Sequence, residues 1–127
     1  MNSLDTNIVL RYLLNDIPDQ ADKARHAIAT SGCYVTDVVV MEIIFVLEKV
    51  IEVERQDILQ LLKAFLSLPN IIYNDYFLDQ TIDLYGARRT LSIVDCYAAT
   101  EAKVYGNTLL SFDKELVNHG GGHVREP

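Results

Sequence analysis

The chain alternates between short apolar runs and longer stretches whose apolar residues recur every three to four positions. Met1–Asp5 reads as a short buried strand. It runs into a helix with Ile8, Val9, Tyr12 and Leu13 on one face, which Thr6 or Asn7 is placed to cap. Pro18 suits the first turn of a second helix through Ala21, Ala24 and Ile28, and Gly32 suits its end. Cys33–Thr36 predicts a second strand. Val38–Val50 is apolar nearly all round and predicts a buried helix. Arg55–Leu68 carries Ile58, Leu61, Leu62, Phe65 and Leu66 on a helical face, broken by Pro69 and Asn70.

Ile71–Tyr73 then predicts a third strand, and Phe77–Arg88 a helix with Leu78, Ile82 and Tyr85 inward. Ser92–Tyr105 predicts a helix with a small-residue stripe at Ala98, Ala99 and Ala102, ended by Gly106. Thr108–Ser111 predicts a fourth strand and Asp113 opens a short helix. Gly120–Gly122 reads as a turn and His123–Arg125 as a last edge strand. Strands alternating with helices imply an α/β sandwich around a parallel sheet, with sites beyond the carboxyl ends of the strands. No repeat or linker interrupts residues 1–127, so one domain is expected.

Composition narrows the class. Half of the residues are hydrophobic, which argues against disorder. No apolar run approaches the ~18 residues of a membrane span. The opening MNSLDTN lacks a basic region followed by an apolar segment, so no secretory signal is expected and the cytoplasm is the expected compartment. Cys33 and Cys96 stand in no paired motif and read as reduced core residues. The net charge of −7 argues against a general nucleic-acid binder and leaves room for a basic partner protein.

Much of that charge sits at strand-to-helix corners: Asp5 in LDTN, Glu42 in VVVMEII, Asp95 in SIVDCYAA and Asp113 in LLSFDKEL. Glu42 is the one charge between Val38 and Leu47, so a buried position is expected for it. No Lys or Arg is adjacent in sequence to Asp5, Glu42 or Asp95, although Lys114 follows Asp113. A buried carboxylate is costly unless paired or bound to a cation. Four acids gathered at one sheet edge repel, and a hard divalent ion is the simplest compensation. Each acid also has a bland reading. Asp95 completes S-x-x-D with Ser92, Asp113 suits a helix N-cap, and Asp5 suits a turn or cap. Arg11, Arg88 and Arg89 are either solvated surface or candidate RNA-phosphate contacts. His26, His119 and His123 show no metal-ligand spacing, and the glycines at 120–122 follow a helix rather than opening one.

At these residues the sequence resembles the PIN-domain family, and within it the VapC-type toxins of toxin–antitoxin pairs. The matching pieces are LDTN at 4–7, MEI at 41–43, SIVDCYAA at 92–99 and TLLSFDKEL at 108–116. The resemblance runs over essentially the whole chain. It implies a three-layer α/β/α sandwich with a central parallel sheet and Mg²⁺- or Mn²⁺-dependent endoribonuclease activity, with one or two ions per site. It also implies a homodimer and inhibition by a cognate antitoxin protein. Asp5, Glu42, Asp95 and Asp113 match the family's acidic quartet, and Thr6, Asn7 and Ser111 its supporting polar residues. Stand-alone PIN nucleases in RNA processing share the quartet, and a non-catalytic binding scaffold is a further alternative. A receiver-type phosphotransfer domain needs two adjacent acids near the first strand, and a haloacid-dehalogenase-type phosphatase needs a second Asp at position 7. Neither is present.

Overall fold

Three short parallel strands organise the first part of the chain, in a computed structural model that describes residues 1–127. The chain divides into two compact units, Met1–Asn74 and Asp75–Pro127. In the first, β1 (Asn2–Ser3), β2 (Cys33–Val35) and β3 (Ile71–Tyr73) pair in sequence order, with Ser3 opposite Tyr34 and Val35 opposite Tyr73. The bond from Leu4 N to Tyr34 O at 2.8 Å extends β1 to the threshold of Asp5. Two helices, α1 (Thr6–Leu14) and α2 (Pro18–Thr30), separate β1 from β2. Asn15 ends α1 in the left-handed conformation, and Pro18 starts α2 where its missing N–H costs nothing.

Between β2 and β3 lie α3 (Asp37–Phe45) and α4 (Arg55–Leu66). The single helix expected over Val38–Val50 stops being α-helical after Phe45. Val46–Val50 continues as a π-helical turn, closed by Ile51 N to Val46 O at 3.0 Å. Glu52 then reverses the chain at φ 63°, and an ion pair between Glu48 and Arg55 at 2.8 Å clasps the turn to the start of α4. Val40, Ile43, Ile44 and Leu47 are fully buried, as are Ile58, Leu62 and Phe65 of α4. Tyr12 packs on Phe65 with ring centroids 5.5 Å apart.

The second unit is mainly helical. It contains α5 (Asp75–Ala87), α6 (Ile93–Val104) and α7 (Lys114–His119). The small residues of α6 serve close packing against α5: Ala99 and Cys96 are buried there, as are Leu78, Ile82 and Tyr85 of α5. Gly106 ends α6 at φ 72°. The fourth strand expected at Thr108–Ser111 is shorter, β4 (Leu109–Leu110), and it pairs in parallel with β5 (Val124–Arg125) rather than with β1–β3. Leu109 N donates to His123 O at 2.9 Å and Ser111 N to Arg125 O at 3.0 Å, so the terminal segment takes up β4's donors. Both cysteines are free and buried. No helix is long and apolar enough to cross a membrane.

Candidate functional site

Each of the four acids is held by local backbone geometry. Asp5 occupies the N-cap position of α1, with φ −82° and ψ 160°, and its carbonyl accepts from Ile8 N at 3.1 Å. Its side chain makes no capping bond. The cap expected from Thr6 or Asn7 is thus displaced by one residue: Thr6 is already helical and 5 % exposed, and Asn7 lies in the first turn, exposed. Asp5 leaves the carboxyl end of β1 with its carboxylate in solvent.

Glu42 lies on α3, which Thr36 starts by accepting a bond from Val39 N at 3.3 Å. The burial expected for Glu42 is not what the structure shows. Its side chain is exposed, and Val38 and Phe45, on the same stripe of the helix, are 69 % and 54 % exposed. The apolar run has one buried face, through Val40, Ile43, Ile44 and Leu47, and one outward face that is also apolar apart from Glu42.

Asp95 and Asp113 belong to the second unit. Asp95 is the third residue of α6, half-buried. The Ser92 hydroxyl accepts from Asp95 N at 3.1 Å, while the Asp95 carboxylate has no hydrogen-bond partner of its own. Asp113 does realise its bland reading. It is the N-cap of α7 and its Oδ1 accepts from Glu115 N at 2.9 Å and Leu116 N at 3.2 Å. The Ser111 hydroxyl accepts from Asp113 N at 2.9 Å, which fixes the turn between β4 and α7.

Three of the acids therefore stand in the first turn or at the cap of a helix, where the aligned N–H groups favour negative charge. None of the four forms an ion pair. Because they are exposed or half-buried, water and helix ends offset their charge, and a buried-charge penalty is not what calls for a cation. Arg11, a candidate RNA-phosphate contact, pairs with Asp16, and its guanidinium holds the Asp16 carboxyl below the ordinary carboxylate value. Arg88 and Arg89 lie in the exposed segment after α5.

No three His, Cys, Asp or Glu side chains are close enough together to hold a metal ion. The four acids nevertheless suit Mg²⁺ or Mn²⁺ in kind: all are carboxylates, none is in an ion pair, and no thiolate or imidazole stands among them to favour a softer ion. Asp5 and Glu42 belong to the first unit, and Asp95 and Asp113 to the second.

The PIN domain family model matches residues 3–121, and the chain belongs to that family. The match spans both units and carries the α/β class read from the sequence, with helices alternating with parallel strands. PIN domains are generally metal-dependent nucleases. No curated protein matches the chain.

Proposed function

We propose that this PIN domain is a metal-dependent endoribonuclease that hydrolyses RNA phosphodiester bonds as the toxin of a type II toxin–antitoxin pair. The observation that carries the catalytic part is that Asp5, Glu42 and Asp95 offer carboxylates with no hydrogen-bond or ionic partner, on helices of an α/β domain. Asp5 and Asp95 have only the field of a helix end and Glu42 only hydration, so all three carboxylates are available to a ligand. Asp5, Glu42, Asp95 and Asp113 would hold one or two Mg²⁺ or Mn²⁺ ions. A bound ion supplies an activated water and charge stabilisation for the leaving oxygen.

The chain's own residues set up the rest. Ser111 holds the backbone of Asp113, and Asp113 anchors α7, so its carboxylate is fixed before any ligand arrives. Thr6 and Asn7 follow Asp5: the buried Thr6 supports the start of α1, and the exposed Asn7 presents an amide for a phosphate oxygen. Arg88 and Arg89 supply positive charge for the RNA backbone. With a net charge of −7 the protein lacks a general RNA-binding field, which suits cleavage of a particular RNA rather than of any RNA. The apolar outward face of α3 suits a homodimer, and the acidic surface suits a basic antitoxin segment in the cytoplasm. A stand-alone PIN nuclease in RNA processing would have the same site.

The test is cleavage of total RNA by purified protein in chelator, Mg²⁺ and Mn²⁺, with Asp5→Asn alongside. Metal-dependent cleavage lost in the variant is expected. Cleavage that persists in chelator, or an equally active Asp5→Asn protein, would overturn the proposal. A cognate antitoxin should abolish cleavage and protect cells that express the chain.

A further inference from the structure

Phe112 is the most exposed large apolar residue of the chain, at 82 %, above even the terminal Met1 at 78 %. It stands directly before Asp113, in the corner between β4 and α7. That corner is tied down on both sides of Phe112. Ser111 N donates to Arg125 O at 3.0 Å, and the Ser111 hydroxyl accepts from Asp113 N at 2.9 Å. The Asp113 carboxylate in turn accepts from Glu115 N and Leu116 N. The fold therefore holds the Phe112 ring in water, where it forgoes the gain of burial.

The ring also lies against no other aromatic ring. Tyr76 and Tyr105, the other exposed aromatics of this unit, both rest on Phe77, with centroids 5.3 and 5.4 Å apart. On the far side of Asp113 stands Lys114, exposed and in no ion pair. An uncovered ring and an unpaired cation thus flank one acid of the quartet.

We propose that Phe112 is a positioning residue for single-stranded RNA: its ring stacks on a nucleobase next to the phosphate at Asp113, while Lys114 attracts the backbone. The inference rests on the nuclease reading and adds to it what holds the substrate. Single strands are held by aromatic rings under their bases and positive charge along their phosphates, and the two occur here within three residues. A neutral ring suits this chain in particular. At a net charge of −7 the phosphates are repelled at long range, and stacking is a contact that does not depend on charge. An apolar protein partner would draw on Leu110, also exposed, as much as on Phe112, whereas a base needs the ring.

The experiment measures RNA binding by the intact protein in chelator, where stacking is separated from metal chemistry. The probes are fluorescein-labelled hexa-adenylate, the same backbone without bases, and hexa-uridylate carrying one 2-aminopurine. Hexa-adenylate should bind at least about fivefold more tightly than the baseless backbone, and Phe112→Ala should lose that advantage. Phe112→Leu, which keeps an apolar side chain but no ring, should lose it too, and Phe112→Tyr should restore it. The 2-aminopurine emission should fall on binding to the unmodified chain and not to Phe112→Ala. Lys114→Ala should weaken the two labelled probes alike, and Tyr105→Ala, an exposed ring on α6, should change neither. Because Phe112 is exposed, circular dichroism should show every variant folded.

No binding of hexa-adenylate, equal binding of the baseless backbone, or full affinity in Phe112→Leu would overturn the inference. So would Phe112→Ala and Leu110→Ala both altering the oligomeric state in light scattering with RNA binding intact, which would assign the ring to a protein contact. Cleavage in Mn²⁺ is scored separately. A chain that cleaves RNA while Phe112→Ala binds it normally loses only this inference, and a chain that stacks RNA on Phe112 but never cleaves it loses only the nuclease reading.

Discussion

The backbone N–H of Asp95 donates to the Ser92 hydroxyl at 3.1 Å, and no bond returns from the Asp95 carboxylate to Ser92. The capping box is therefore half made. Ser92 carries the capping, and the Asp95 carboxylate has only the field of the helix end. Ser92→Ala should cost about 1 kcal/mol of stability and leave most activity, because it removes a cap. Asp95→Asn should cost less stability and lose ribonuclease activity by orders of magnitude. Chemical denaturation and an RNA cleavage assay on the two variants check the pair. A fully active Asp95→Asn protein would sink the proposed mechanism.

Asp113 presents the opposite case, since its carboxylate accepts from both Glu115 N and Leu116 N. Asn is as good an N-cap as Asp, so Asp113→Asn should keep stability and lose activity. Asp113→Ala should lose both, with a stability cost of about 0.5–2 kcal/mol. If the Asn variant retains activity while the Ala variant does not, Asp113 acts through the cap alone.

Much of the architecture was legible because particular residues leave few options. Pro18 starts α2, Ser92 caps α6 and Gly106 ends it at φ 72°. The apolar run at 38–50 was less legible. Hydropathy alone does not say which apolar residues face outward, so Glu42 was expected inside when it lies on an exposed stripe with Val38 and Phe45. The π-helical turn at Val46–Val50 depends on where Leu47 must be buried and on the Glu48–Arg55 clasp, neither of which has a local signature. The pairing of β4 with β5 is a choice between partners that two-residue strands do not encode.

The outward face of α3 bears on assembly. The apolar residues Ile58, Leu59, Leu62, Phe65 and Leu66 of α4 are buried within the unit and leave no apolar face there for a partner. Val38, Phe45, Val50 and Ile51 remain exposed. A homodimer through these residues should dissociate in Phe45→Glu, with the fold unchanged by circular dichroism. Light scattering showing the unmodified chain as a monomer at micromolar concentration would refute the dimer.

The Arg11–Asp16 pair gives a pH prediction. The Arg11 guanidinium lowers the Asp16 pKa chiefly by hydrogen bonding. A depressed folded-state pKa means that the pair's contribution is present above the unfolded value of about 3.9 and fades as pH falls through the folded one. Carbon-detected NMR titration should find Asp16 titrating below the ordinary aspartate value, and Arg11→Gln should bring it back toward that value. An unchanged Asp16 titration in that variant would show that Arg11 is not the cause.

Metal linkage tests the quartet without any substrate. An ion that binds the folded chain and not the unfolded one stabilises it by RT ln(1 + [L]/Kd), about 2.7 kcal/mol at one hundred times Kd. Melting in millimolar Mn²⁺ should therefore exceed melting in chelator by several degrees. The four acids are exposed or half-buried and three sit at helix N-termini, so the metal-free protein should still be folded. Removing one charge, as in Glu42→Gln, should shrink the Mn²⁺-dependent shift while leaving the melting point in chelator nearly unchanged. Glu42 suits this test because its exposed side chain has no packing or capping role that the substitution would disturb. A chain whose melting is the same in chelator and in millimolar Mn²⁺ would count heavily against the quartet as a metal site. A shift that Glu42→Gln leaves intact would remove Glu42 from it.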